Sequence, residues 1–250
     1  MARTSRDDKK MTPEQKRVAE QLTSLFENGT IKIQYGYAED LKDGRGITCG
    51  RSGFCTGTGD AYVVVKKYTK VVPNNPLAVY LPELKRLNTA EQRDDISGLR
   101  GFMAAWKKAA RLADFRTIQD QVTDELYWYP SQKHADSLGL MTPLARAFMF
   151  DTIIQHGDGG DPDGLTALLM TANAAMGGTP KNGVPEVDWL IAIIKARRAN
   201  LSYCYDSSSR HEWSGSTGRC DTYLSIAELG NFALVTPFMA DWNGRKHKIQ

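Results

Sequence analysis

No apolar run in the chain approaches the ~20 residues that a membrane-spanning helix needs, so a membrane is not an expected partner. No long Lys/Arg run occurs and the net charge is only +3, which gives no electrostatic footprint for nucleic acid. Cysteine is scarce, with four residues at positions 49, 55, 204 and 220. They do not form two CxxC pairs, which argues against a structural zinc site, and no metal is expected. Gly57-x-Gly59 is followed by neither GxGxxG nor GxxxxGK, so nothing supports a nucleotide cofactor. The first ten residues, MARTSRDDKK, lack an apolar h-region. A mature chain whose signal peptide has been removed would look the same. There is no internal repeat.

What is present reads as one soluble globular domain, or two lobes sharing a core, within 250 residues. Residues 1–11 are polar and expected to be a flexible N-terminus. Thr12-Pro13-x-Gln15 is a capping box with proline at the first helical position. Val18, Leu22, Leu25 and Phe26 then form one helical stripe, and Asn28-Gly29 stops it. Residues 30–37 alternate apolar and polar and predict a strand. Residues 38–60 hold six glycines, too many for a helix, and predict loops and short strands. The β-branched run in residues 61–70 fits either a strand or the start of a buried helix. From residue 78 onward the spacing is helical. Leu99, Phe102, Met103 and Trp106 share one face, and Ile118, Val122 and Leu126 share another. A helix begins behind Thr142-Pro143, and one more spans 187–199. Glycine-rich loops fall at 157–164 and 177–183. Cys204 and Cys220 bracket a polar loop; they are a disulfide candidate in an exported protein, with two unpaired buried thiols as the alternative.

The chemistry concentrates between Glu27 and Asp60. Five acids fall there, Glu27, Glu39, Asp40, Asp43 and Asp60, either a solvated acidic face or an anionic groove that suits a cationic ligand. Glu27 lies in the last turn of a helix, where the partial negative charge of the terminus and the apolar Leu25 and Phe26 disfavour a carboxylate. An acid so placed keeps its proton, as a general acid must. Asp43 sits in Lys42-Asp43-Gly44-Arg45-Gly46. Cations on both sides and exposed N–H groups of a tight turn hold it ionised, as a base must be. Two carboxyls with opposed environments are the arrangement of a glycosidase. Thr48 is placed to help hold a water, and Tyr35 and Tyr37 offer rings for sugar faces. A solvent-exposed glutamate and an Asp-Gly turn without chemistry remain the plain alternatives. The acids of 157–164 (Asp158, Asp161, Asp163) lack EF-hand spacing and a closing glutamate, so a surface loop is expected there.

The string Gln34-Tyr35-x-Tyr37-x-Glu39-Asp40-x-x-Asp43-Gly44-Arg45-Gly46-x-Thr48, continued by Gly53-Phe54-Cys55-x-Gly57-Thr58-Gly59-Asp60 and preceded by Glu27-Asn28, resembles bacterial chitosanases of glycoside hydrolase family 46. The resemblance implies a mainly α (α+β), lysozyme-like fold: two mostly helical lobes flanking a cleft, with a small antiparallel sheet in the front lobe, residues 1–250 forming a single catalytic domain. It implies endo-hydrolysis of β-1,4-linked glucosamine bonds in chitosan with inversion. Glu27 matches the proton donor, Asp43 the base and Thr48 the water-orienting threonine. Tyr37, Glu39, Arg45, Asp60 and His156 match substrate-binding residues, with Asp60 gripping a glucosamine ammonium. Asp151, Arg197 and Arg219 match a buried ion network that supports the lobe and tunes the acid. No cofactor is implied. The expected partners are chitosan and glucosamine oligomers, the expected state a monomer, and the expected location extracellular, with the signal peptide absent from this chain. A lysozyme-like muramidase and a non-catalytic aminosugar-binding protein are the alternatives.

Overall fold

The computed structural model describes residues 11–207 and 210–250, and of Glu212 the backbone alone; most of the expected flexible N-terminus lies outside the described residues. The chain forms two compact units. One comprises the residues up to Lys32 together with Tyr127–Gln250, and the other is the inserted stretch Ile33–Leu126.

Helix α1 (Pro13–Asn28) opens the first unit. Thr12 Oγ1 accepts from Gln15 N at 3.2 Å while Gln15 Oε1 accepts from Thr12 N at 2.9 Å, so two orphan N–H donors are satisfied reciprocally. Gly29 closes the helix at φ 67°, a backbone conformation that only glycine adopts freely.

The inserted unit holds a three-stranded antiparallel sheet, β1 (Ala38–Asp40), β2 (Ile47–Cys49) and β3 (Phe54–Cys55), in the order β1-β2-β3. Glu39 pairs with Thr48 and Thr48 with Cys55, so these three residues form one row across the sheet. Helices α2 (Asp60–Val71), α3 (Leu81–Leu87), α4 (Phe102–Ala109) and α5 (Ala113–Thr123) complete the unit. The β-branched run is therefore helical: Val64, Val65 and Tyr68 are buried on α2. The core is a relay of aromatics. Phe102 lies 5.7 Å from Trp106, Trp106 4.9 Å from Phe115, and Phe115 4.7 Å from Tyr68, separations at which rings add to their burial energy. Met103 and Leu126 depart from the expected faces and are exposed.

The expected strand over 30–37 does not form. Its carbonyls are taken by side chains instead: Ser24 Oγ donates to Thr30 O and Lys32 O, and the Tyr35 carbonyl accepts from Trp106 Nε1 and Gln119 Nε2. With those acceptors occupied, no ladder is available to the segment.

A π-helical stretch, Asp124–Trp128, leads back into the first unit. There follow α6 (Tyr129–Leu138), α7 (Pro143–His156), α8 (Leu165–Met176), α9 (Glu186–Ser202), α10 (Arg210–Ser214), α11 (Gly218–Glu228) and a hairpin of β4 (Phe238–Trp242) and β5 (Arg245–Ile249). Helix α7 is buried on every side, so it has no polar face and forms the middle of the unit. Helices α1, α6 and α11 pack against it. Among the described residues no helix is long and apolar enough to cross a membrane.

Candidate active site

Glu27 projects from the last turn of α1, between the buried Leu25 and Phe26 and the cap at Gly29. Its Oε1 accepts from an Arg219 Nη2 donor, and its side chain keeps 34% of its exposure. Arg219 itself is buried. Its other terminal nitrogen, Nη1, lies 3.3 Å from Asp151 Oδ1, and the Asp151 Oδ2 accepts from Arg197 Nη1 at 2.7 Å. Asp151 and Arg197 are both 0% exposed. The sequence thus brings α1, α7, α9 and α11 to one charged cluster, Arg197–Asp151–Arg219–Glu27. Burial works against the Arg219 charge, but Glu27 and Asp151 outweigh it and hold the guanidinium ionised above its ordinary range. Arg197 also donates to Thr152 Oγ1 at 3.1 Å and Gln155 Oε1 at 2.6 Å, which tie its terminal nitrogens to α7.

His156, expected among the substrate-binding residues, ends α7 and is 6% exposed. One ring nitrogen, Nδ1, lies 2.7 Å from the Asp163 carbonyl, and the ring packs edge-on against Trp213 at 4.8 Å. Burial first, then the nearby Arg197 charge, lowers its pKa from 6.5 to about 3, so it is neutral. Its Nε2 is buried with no hydrogen-bond partner among the described residues.

In the inserted unit, Asp43 stands in the glycine-rich turn between β1 and β2. Its Oδ1 accepts from Arg45 N at 3.0 Å, and its Oδ2 accepts from Arg45 Nε at 3.0 Å and Nη2 at 2.6 Å. Partial burial opposes ionisation, but the Arg45 side chain and backbone prevail and hold the carboxyl below the usual range. The turn needs its glycines. Gly46 has φ 74°, and a Cβ there would meet Thr56 Oγ1 at 2.4 Å, the very hydroxyl that accepts from Ile47 N at 2.9 Å. Lys42 adopts φ 59°, held by its backbone donation to Asp40 Oδ1 at 3.1 Å.

Around this turn, the Tyr37 hydroxyl donates to Glu39 Oε2 at 3.0 Å. Burial and that acidic acceptor raise the phenol to about 12, so it stays protonated. Thr48 is buried on the middle strand with its hydroxyl 3.4 Å from Cys55 Sγ. Asp60 begins α2. Its Oδ1 takes three donors, Cys55 N at 2.8 Å, Thr58 Oγ1 at 2.6 Å and Ala61 N at 3.0 Å. Burial pushes its carboxyl above the ordinary value against those donors. Its Oδ2 takes no hydrogen bond among the described residues, so one oxygen anchors and the other is left over.

Two expectations change. Cys204 and Cys220 are not joined; both are buried free thiols. Cys204 Sγ donates to Asp206 O at 3.0 Å within its own loop, whereas Cys220 lies on α11 in the core, where burial lifts it to about 11. Tyr35, offered as a sugar-facing ring, instead donates its hydroxyl to Asp120 Oδ1 at 2.8 Å, beside an Arg51–Asp120 ion pair that nothing local in the sequence marks. Two acids of the 157–164 loop hold local structure, Asp161 accepting from Asp163 N and Asp163 from Tyr205 N, Asp206 N and Asn200 Nδ2, while Asp158 pairs with the His134 ring. Among the described residues no cluster could hold a metal ion.

Comparison with known proteins gives the setting for this geometry. The family model described as glycosyl hydrolase family 46 matches residues 21–238. A chitosanase of Bacillus subtilis (strain 168) is 52% identical over 227 residues, covering 91% of this chain and 82% of the relative. A chitosanase of Streptomyces sp. (strain N174) is 36% identical over 228 residues, covering 90% and 78%. Among solved structures, a mutant chitosanase from Bacillus subtilis MY002 complexed with 6 GlcN superposes with TM-score 0.90 at 50% identity, covering 96% of this chain and all (100%) of that one. A chitosanase from Gynuella sunshinyii in complex with chitotetraose also gives TM-score 0.90, at 39% identity, covering 96% and 99%. The fold class is the mainly helical, lysozyme-like one. Glu27, the whole run from Gln34 to Asp60, and the Asp151 network all fall within the matched span, and the chain belongs to glycosyl hydrolase family 46.

Proposed function

We propose that the chain is an endo-chitosanase, cutting β-1,4 bonds between glucosamine units with inversion. The observation that carries this reading is the contrast between two carboxylates. Asp43 is clamped at both oxygens by Arg45, while Glu27 is held at one oxygen by Arg219 and remains partly open. Acid/base glycoside hydrolysis uses two carboxyl groups in different settings, and here one is clamped in its own turn while the other is held at one oxygen and left partly open.

Glu27 protonates the leaving glycosidic oxygen. Asp43, kept ionised by Arg45, draws a proton from a water as that water attacks the anomeric carbon. Each carboxylate oxygen has about two lone-pair sites, so the Arg45 contacts leave room for the water. Thr48 holds the same water by its hydroxyl. The Oδ2 of Asp60 receives a glucosamine ammonium, and Glu39, with Tyr37 and Arg45 beside it, lines the same acidic surface. His156, neutral and buried, contributes shape and an acceptor rather than charge. Binding of cationic sugars by acids is favoured by charge complementarity, which an N-acetylated substrate would not exploit. We further propose that the protein acts as a monomeric, single catalytic domain outside the cell, since a polymeric substrate does not cross the membrane.

Proton NMR of the anomeric signals during the first minutes on a glucosamine hexamer tests the reading. Initial α-anomer is the expected product. Initial β-anomer would make Asp43 or another group a nucleophile. No cleavage of deacetylated polymer would return the muramidase or the binding-protein alternative.

A further inference from the structure

Cys55 is a buried thiol on β3, directly across the ladder from Thr48. Among the described residues its sulfur makes two hydrogen-bond contacts. Its Sγ lies 3.2 Å from the carbonyl oxygen of Gly53 and 3.4 Å from Thr48 Oγ1. A carbonyl oxygen can only accept, so the single thiol proton belongs to the Gly53 contact. The contact with Thr48 must then run the other way, from the threonine hydroxyl to a sulfur lone pair. Burial and the nearby Asp60 charge keep the thiol protonated, so this polarity is stable. Cys55 is itself fixed from behind, because its backbone N–H donates to Asp60 Oδ1 at 2.8 Å.

The consequence falls on Thr48. A hydroxyl whose proton is committed to sulfur is an acceptor toward anything else. A water between Asp43 and Thr48 has two protons. If one goes to the Asp43 carboxylate and one to the Thr48 oxygen, both lone pairs are left pointing away from these two groups. A Thr48 hydroxyl free to rotate would donate to that water instead, occupying one of its two lone pairs and drawing electron density from the one that attacks. The Asp43 charge is felt at the Cys55 thiol and at the Tyr37 phenol, which places the base in the same neighbourhood.

We propose that Cys55 is a positioning residue: through the relay Thr48 Oγ1–H to Cys55 Sγ–H to Gly53 O, it fixes the Thr48 hydroxyl as an acceptor for the attacking water. This rests on the assignment of Thr48 to that water. Cys55 touches neither substrate nor reacting atoms and acts through Thr48 alone.

The test is a double-mutant cycle measured as kcat and KM on a glucosamine hexamer, with thermal melting to follow folding. Cys55→Ala and the slightly larger Cys55→Val bracket the thiol in volume and both remove the relay, and each is expected to lower kcat about tenfold, the worth of one hydrogen bond. KM should stay within about twofold in both, because no substrate contact is lost. Cys55→Ser keeps a donor and an acceptor and should recover most of kcat. On a Thr48→Ala background, Cys55→Ala should change kcat by less than about twofold, since the relay has nothing left to orient. Equal losses on both backgrounds would show a packing role and overturn the proposal. So would wild-type kcat in Cys55→Ala and Cys55→Val while Thr48→Ala is slow. Wild-type kcat in Thr48→Ala is a different failure: it removes Thr48 from the water, and Cys55 with it.

Discussion

Replacing Asp151 by asparagine removes one negative charge and almost no volume. The site is 0% exposed and its two oxygens face Arg197 at 2.7 Å and Arg219 at 3.3 Å. Arg197 is likewise fully buried, and a guanidinium is not deprotonated in proteins. The variant therefore leaves two buried cations facing a neutral amide, with no cavity to confuse the result. Breaking a buried pair in this way costs roughly 3–5 kcal/mol, because the orphaned charge keeps its desolvation penalty. With two cations sharing one carboxylate, the upper end of that range is expected. For a chain of this size each kcal/mol lowers Tm by about 2–4 °C, so about 5 kcal/mol corresponds to a shift of about 10–20 °C.

The control is Asp221→Asn. It breaks the Arg198–Asp221 pair, whose side chains are 45% and 50% exposed. Such a pair contributes about 1 kcal/mol or less. Circular dichroism melts of the two variants at neutral pH, with urea midpoints beside them, give the comparison. A Tm for Asp151→Asn no lower than that of Asp221→Asn would refute the reasoning, since it would mean that water reaches the cluster and screens it. Below its melting range the Asp151 variant should also turn over more slowly, because Arg219, freed from Asp151, no longer holds Glu27 from a fixed position.

Glu27→Gln is expected to lose activity by about 10²–10⁴-fold at temperatures where it is fully folded, because an amide cannot donate the proton; steady-state turnover on chitosan, with the melt followed beside it, checks this, and wild-type rates would remove Glu27 from the mechanism. Asp60→Asn should raise KM for glucosamine oligomers about tenfold or more by removing a charge-assisted hydrogen bond at Oδ2, and an unchanged KM and kcat would leave the ammonium with another partner. His156 has its folded pKa lowered from 6.5 to about 3, so between those values the unfolded chain binds more protons and stability falls as the solution is acidified. In His156→Gln that part of the pH dependence should vanish, making the stability profile flatter by up to about 1.4 kcal/mol per pH unit below pH 6.5; parallel profiles from urea unfolding would show that His156 is solvated.

Local signals were read correctly where the physics is local. The capping box of α1, the Thr142 cap of α7 and the first-turn proline of each lie within four residues of the backbone groups they satisfy, so Thr12-Pro13 and Thr142-Pro143 mark real helix starts. The glycine-rich stretch 38–60 resolves into short strands because its turns need positive φ at Gly44 and Gly46. The failures share one cause, a partner far along the chain. Residues 30–37 alternate like a strand, but Trp106 and Gln119 take the Tyr35 carbonyl from 71 and 84 positions away. Arg51 and Asp120 pair across 69 positions, and no spacing rule joins them. Spacing also misleads for Cys204 and Cys220, since a polar segment between two cysteines does not say where either side chain points. One missed element was legible. Trp242-Asn243-Gly244-Arg245 carries the Asn-Gly of a two-residue hairpin, with φ 50° and 71°, and it joins β4 to β5. The charged run Arg245–Lys248 hid it, because only one face of that strand is covered.

The two candidate catalytic carboxylates are supported in different ways, and the difference bears on why the buried charges are there at all. Asp43 is held by its own turn: Arg45 is two residues away, and glycines supply the geometry. Glu27 has no such neighbour. It leaves the end of a helix, where the nearest residues are apolar, and among the described residues its polar contact comes from Arg219, which is 192 positions distant. A guanidinium brought to the edge of an apolar core needs a counter-ion, and Asp151 supplies it from α7, with Arg197 on its far side. Apolar side chains of similar volume would fill the space among α7, α9 and α11 with equal or greater stability. They would leave the Glu27 carboxyl free to rotate about the end of α1. The buried Arg197–Asp151–Arg219 cluster is therefore better explained by the position of one oxygen on Glu27 than by the stability of the unit that contains it.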